Sequence, residues 1–130
     1  MTVFVDSSYF VATLAPRDQW QQRTLRTLQP GLRMITSAAV INETISLLQS
    51  RGQISTALQF LQEIRANPAV EIVYLDPALQ ADAWDLFCRW GGSGANAVDC
   101  ISFAIMRRFG IKKAFTFDRH FRAAGFDILP

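Results

Sequence analysis

One histidine, two cysteines and two lysines in 130 residues are unusually few, and each scarcity closes off a class of function. With His120 alone and no Cys-x-x-Cys spacing, a zinc centre of His and Cys ligands cannot be assembled. Cys88 and Cys100 each fall inside a predicted helix and read as free thiols, buried or half-buried, in a reducing compartment. No apolar run approaches the roughly 20 residues that a membrane span requires. The first apolar stretch has no basic residues ahead of it and is interrupted by Asp6. The expectation is a soluble, cytoplasmic chain with no membrane partner. The glycine-rich stretch Gly91 to Ala97, GGSGANA, does not follow a strand and carries no Lys-Ser/Thr ending, so it is not a phosphate-cradling P-loop.

What the chain does have is apolar residues, about 50% against 18% charged, which excludes disorder and fits a single domain over residues 1–130. Thr2 to Val5, Arg33 to Thr36, Val70 to Leu75 and Ala114 to Phe117 read as short buried strands, with Phe126 to Leu129 a fifth. Helical patterns lie between them: Ser7 to Ala15, Asp18 to Gln29, Ser37 (as cap) to Gln49, Ile54 to Ala66, Asp76-Pro77 to about Trp90, and Val98 to Phe109. Gly91 to Ala97 is expected to be a flexible loop. Strands alternating with helices predict a three-layer α/β/α sandwich around a short, central parallel sheet. The basic residues are eleven Arg against two Lys, with a net charge of +2: a weak pointer to phosphate, since guanidinium also serves carboxylates.

The eleven acids carry more. Asp18, Glu63, Glu71, Asp82 and Asp85 lie among polar neighbours, Asp76 precedes Pro77 as a helix cap, and Asp127 has no evident role. Four remain. Asp6 directly follows the first strand and Asp118 the fourth, where the ligand crevice of an open α/β sheet lies; each reads equally well as a cap for the helix that follows it. Glu43 sits six residues past the Ser37 cap, shares a helix face with Val40 and Leu47, and is not explained by capping. Its plainer reading is a boundary glutamate reaching an arginine. Asp99 stands in ANAVDCISFAIM, a helix apolar on nearly all sides and therefore buried. There, Asn96 and Asp99 could form a capping box, yet a buried carboxylate is costly unless it is paired or binds a metal.

Four converging carboxylates would raise one another's pKa values and require a cation. Oxygen-only ligation suits Mg²⁺ or Mn²⁺. Without a nucleotide-cradling loop, such a site points to phosphodiester hydrolysis. A signalling receiver would need paired acids after the first strand and an acceptor Asp at positions 50–60, which are absent; an aspartyl-phosphate phosphatase would need a second Asp where Ser8 stands.

On these residues the chain resembles the PIN-domain ribonucleases, and within them the VapC-type toxins of prokaryotic toxin–antitoxin systems. The matching stretches are VFVDSSYFVA, INE and VDCISFAIMRRFGIKKAFTFDRHFRAAGF, in that order and spacing. The resemblance implies a metal-dependent endoribonuclease binding Mg²⁺ or Mn²⁺ through Asp6, Glu43, Asp99 and Asp118. Ser7, Ser8 and Thr116 would border the pocket, and Asn96 would cap the late helix or orient a water. Where many relatives have Ser and Thr before the late aspartate, this chain has Asn96 and Val98. Arg119 and His120 flank Asp118 and are candidates for contact with RNA, against a plainer reading as solvent-facing charge. The implied partners are an RNA substrate, a cognate antitoxin and a second copy in a homodimer. The alternative is a protein of the same fold that binds RNA or protein without efficient cleavage.

Overall fold

A computed structural model describes residues 1–14 and 31–129. The helix expected over 18–29, with Asp18, lies outside the described residues. The elements run β1 (Thr2–Val5), α1 (Ser7–Leu14), β2 (Arg33–Ser37), α2 (Ala38–Ser50), α3 (Ile54–Ala66), β3 (Val70–Val73), α4 (Pro77–Trp90), α5 (Ala97–Phe109), β4 (Lys113–Phe115), α6 (His120–Ala123) and β5 (Asp127–Leu129). The strands form one sheet of order β3-β2-β1-β4-β5, with every pairing parallel. Helices flank the sheet in the expected α/β/α layering.

The central strand explains its own sequence. Val3, Phe4 and Val5 are fully buried, as an apolar run covered on both faces must be. Tyr9 of α1 stacks on Phe115 of β4, with ring centroids 4.5 Å apart, so the first helix and the fourth strand share one patch of core. Phe121 of the short α6 meets Phe103 of α5 edge-on at 5.0 Å, and both rings are buried. That contact fixes α6, and therefore His120, against the helix that carries Asp99.

Several strand ends differ from the sequence reading, for identifiable reasons. β3 stops at Val73 rather than Leu75 because its register partner is Ser37, where β2 ends and α2 begins. β4 spans Lys113–Phe115 rather than 114–117. Beyond it, the Thr116 amide donates to Leu129 O and the Phe117 amide donates to Ser8 Oγ, so the chain leaves its ladder with β1. Cys88 is exposed, not half-buried, because it lies on the outer side of α4 near exposed Trp84 and Phe87; Cys100 is buried. The expected flexible loop is ordered: Gly91–Ser93 is a 3-10 turn, Gly94 takes the left-handed conformation and Ala95 is buried. No helix of the described residues is long and apolar enough to cross a membrane.

Candidate active site

Strand order places the crevice. Going outward from β1, β2 and β3 follow on one side and β4 and β5 on the other, so the topology reverses between β1 and β4. At such a point the connecting helices part, leaving an opening beyond the carboxyl ends of the strands. Asp6 ends β1, and Asp118 lies three residues past the end of β4, at this opening. Glu43 comes to it from α2 and Asp99 from the first turn of α5.

Asp6 is buried, and its two oxygens have different surroundings. The Ser8 and Thr116 hydroxyls lie 3.0 and 2.8 Å from Oδ2. Each hydroxyl oxygen also accepts a backbone amide, from Phe117 and Asp118 respectively, both at 3.0 Å. Since each hydroxyl has one hydrogen, both hydrogens are free to point at Oδ2. Oδ1 is buried and has no hydrogen-bond partner among the described residues. Burial, opposed by the Thr116 and Ser8 hydroxyls, pushes the Asp6 carboxyl up to about 6, and the charge of Glu43 adds to the rise.

Asp99 combines both readings that the sequence left open. The capping box exists: the Asp99 amide donates to Asn96 Oδ1 at 2.8 Å, and the Asn96 amide donates to Asp99 Oδ2 at 2.9 Å. The same carboxyl is buried and carries the charges of three other acids. Burial comes first, then Asp118, Asp6 and Glu43, and together they raise it to about 7 against the bond from Asn96. A box commits one carboxylate oxygen and leaves the other.

Glu43, half-buried, accepts the Ser7 hydroxyl at Oε1 at 2.5 Å, and no arginine among the described residues pairs with it. Asp118 Oδ1 accepts two hydrogen bonds from one residue, the backbone amide of His120 at 2.9 Å and its Nδ1 at 2.6 Å. It thus caps the short α6 and faces the cluster at once. The other ring nitrogen, Nε2, lies 3.1 Å from the carbonyl of Ser93 and must donate there, since a carbonyl only accepts. Partial burial pulls the imidazole down, but the charge and hydrogen bond of Asp118 outweigh it and hold His120 above its usual range. Asp99, Asp118 and His120 each present one ligating atom within 4.8 Å of the others.

The structure therefore brings Asp6, Glu43, Asp99 and Asp118 to one end of the sheet, with Ser7, Ser8, Thr116 and Asn96 each bonded to one of them. Arg119 is exposed beside this cluster, whereas both ring nitrogens of His120 are engaged within the protein. The contact of His120 with Ser93 was not legible in the sequence. It joins residues 27 positions apart, and only the exceptional singleness of the histidine draws attention to it.

Residues 3–127 match the PIN domain. The chain belongs to the PIN-domain family. As a PIN domain it is 34% identical, over 127 residues and 95% of each chain, to the curated 23S rRNA-specific endonuclease VapC20 of Mycobacterium tuberculosis. The crystal structure of Mycobacterium tuberculosis VapC20, described as a Sarcin-Ricin loop cleaving toxin, matches with a TM-score of 0.88 at 31% identity, covering 98% of this chain and 99% of that one. FitAcB from Neisseria gonorrhoeae matches at 0.70 with 16% identity, over 100% of this chain and 97% of that chain. VapBC-1 from nontypeable Haemophilus influenzae matches at 0.66 with 11% identity, over 98% and 96%. At these identities the last two likenesses are of the PIN fold alone.

Proposed function

We propose that this PIN domain is a metal-dependent endoribonuclease and the toxin of a toxin–antitoxin pair. The observation that carries the metal is the buried Oδ1 of Asp6, without a hydrogen-bond partner among the described residues, in a cluster where burial, then the charges of the other acids, raises Asp99 to about 7. Buried carboxyl oxygens without donors are costly unless a cation or a proton meets them, and an oxygen-rich set suits Mg²⁺ or Mn²⁺. Asp6 through Oδ1, Asp99 and Asp118 would hold the ion, with Glu43 at its edge. Once bound, the cation supplies charge stabilisation to a phosphodiester and acidity to a water.

The residues themselves do the rest. Ser8 and Thr116 fix the Asp6 carboxylate by occupying Oδ2, and the capping box does the same for Asp99. Ser7 holds Glu43 by Oε1, leaving Oε2 to accept a proton from a water aligned for attack on phosphorus. Four of the eleven acids stand in this cluster, so the remaining chain sets seven acids against thirteen Lys and Arg, a surplus suited to an RNA backbone. Arg119, exposed beside the cluster, is its foremost contact point.

The VapC20 likeness makes the sarcin–ricin loop of 23S rRNA the first substrate to test, in the cytoplasm where ribosomes are. An antitoxin arginine entering the acidic cluster would match carboxylate geometry. Exposed Leu47, Ile54 and Leu58, or Trp84 and Phe87, offer apolar surface for an antitoxin or for a homodimer. The decisive experiment incubates the purified protein with sarcin–ricin loop RNA and unrelated hairpins in Mg²⁺, Mn²⁺ or EDTA. Cleavage that requires metal is the expected result. Tight RNA binding with no cut under any metal would favour the binding-module alternative.

A further inference from the structure

Two of the four acids are tied to the same short segment of chain. Asp118 Oδ1 accepts His120 Nδ1, and His120 Nε2 donates to Ser93 O. Three residues on, the Asn96 amide donates to Asp99 Oδ2. The path from one carboxylate to the other is thus a closed loop of an imidazole, a carbonyl, the backbone of 93–96 and an amide. Each acid has one oxygen held by it, and a carboxylate oxygen of Asp99 lies within 4.8 Å of one of Asp118.

Gly94, in the middle of the segment, is shaped by the ring. Its φ of +104° is one that residues with a side chain rarely adopt, and an added Cβ would stand 2.9 Å from His120 Nε2. The segment is pinned at its far side by buried Ala95, and the ring by Phe121 against Phe103.

We propose that His120 is a positioning residue which, through Ser93 and the Gly94 backbone, sets the separation of Asp99 and Asp118 so that a divalent cation meets both carboxylates without rearrangement. This rests on the reading of the acids as a metal site and adds to it a residue and a loop. His120 is then neither an RNA contact nor a ligand in its own right. Repulsion between the two carboxylates would otherwise drive them apart, and the cation would have to draw them together out of its own binding energy.

The test is metal affinity, measured as the Mn²⁺ dependence of melting temperature in the full chain, with single-turnover cleavage of a sarcin–ricin loop RNA alongside. His120→Ala should weaken Mn²⁺ binding by roughly 10–100-fold, the usual effect of losing a residue that orients a ligand. Gly94→Ala should reproduce most of that loss, and the double variant should be little worse than either, because both break one device. His120→Asn keeps a donor near Asp118 but cannot reach Ser93, and it should fall with His120→Ala. His120→Gln, whose amide extends toward Ser93, should recover part of the loss. Arg122→Ala, on the exposed side of α6, should bind as wild type does. Amide hydrogen exchange over 93–96 should quicken in His120→Ala with or without metal. Wild-type Mn²⁺ affinity in His120→Ala or His120→Asn would overturn the proposal, as would fully multiplicative losses from Gly94→Ala and His120→Ala. Absence of any Mn²⁺ shift in the wild type would instead remove the metal reading itself.

Discussion

Two helices of this chain begin with the same device and end up with opposite electrostatics. At α4, the Asp76 side chain accepts the Leu79 amide at 2.7 Å; at α5, the Asn96 side chain accepts the Asp99 amide at 2.8 Å and the Asp99 side chain accepts the Asn96 amide at 2.9 Å. Asp76 is exposed and pairs with Arg108 at 2.8 Å. Its bond from Leu79, then that from Arg108, lowers its carboxyl below the ordinary 3.8. Asp99 is buried among three acids and stands near 7. The hydrogen bonds that satisfy a helix terminus are nearly the same in the two places. What separates the two acids is burial and the sign of their neighbours, not the capping itself.

The comparison can be broken most forcefully by removing each charge while keeping its shape. Asp99→Asn should reduce RNA cleavage to background in single-turnover assays and leave the fold intact, since an amide oxygen can still accept from Asn96. Asp76→Asn should cleave as wild type does. Full activity in Asp99→Asn would erase the distinction.

The next effect is on stability in the absence of metal. Asp6 at about 6 and Asp99 at about 7 hold protons in the folded state that the unfolded chain releases from 3.8 upward. This contribution is therefore fully present below pH 3.8 and is lost as pH rises to about 7. For Asp6 alone the rise amounts to on the order of 3 kcal/mol, at ~1.4 kcal/mol per unit. Asp76, shifted downward, contributes with the opposite sign, losing stability as pH falls below its ordinary range. Denaturant melts in EDTA between pH 4 and 8 should show a decline with rising pH that Asp6→Asn flattens. A flat wild-type profile would mean that burial and the neighbouring charges do not raise these acids.

Metal should sharpen the contrast a little less strongly. An ion at a hundredfold excess over its dissociation constant contributes ~2.7 kcal/mol when only the folded state binds it. For a chain of this size that is roughly ten degrees of melting temperature. Wild type and Asp76→Asn should gain it equally from Mn²⁺, and Asp99→Asn much less. Coincident Mn²⁺ and EDTA melts for the wild type would remove the metal. The smallest effect concerns the caps. Asn96→Ala should cost about 1 kcal/mol and also weaken Mn²⁺ binding, because the box orients Asp99. Asp76→Ala should lower the melting temperature and change nothing in metal affinity.

Much of this arrangement could be read from local pattern. The alternation of strand and helix gave the parallel sheet, and an acid directly after an apolar strand can face only the crevice or the next helix. That is why Asp6 and Asp118 were visible from neighbours alone, and why Glu43 stood out as an acid with no capping role. Capping and burial are compatible at Asp99 because a carboxylate has two oxygens, and the box takes one. The ordered Gly91–Asn96 turn was opaque for a different reason. Glycine marks conformational freedom, and what removes that freedom here is an imidazole from 27 residues downstream of Ser93, a contact with no local signature. The exposure of Cys88 likewise depends on which side of α4 packs inward.

The parallel pairing of β1 with β4, Phe4 beside Ala114, also governs when the cluster can exist during synthesis. Asp6 is made more than a hundred residues before Asp118, and the strand before Asp118 must slot in next to β1 before the two acids meet. Pairings of such long sequence separation form late in folding. A chain in which β4 has yet to pair therefore holds Asp6 apart from Asp118.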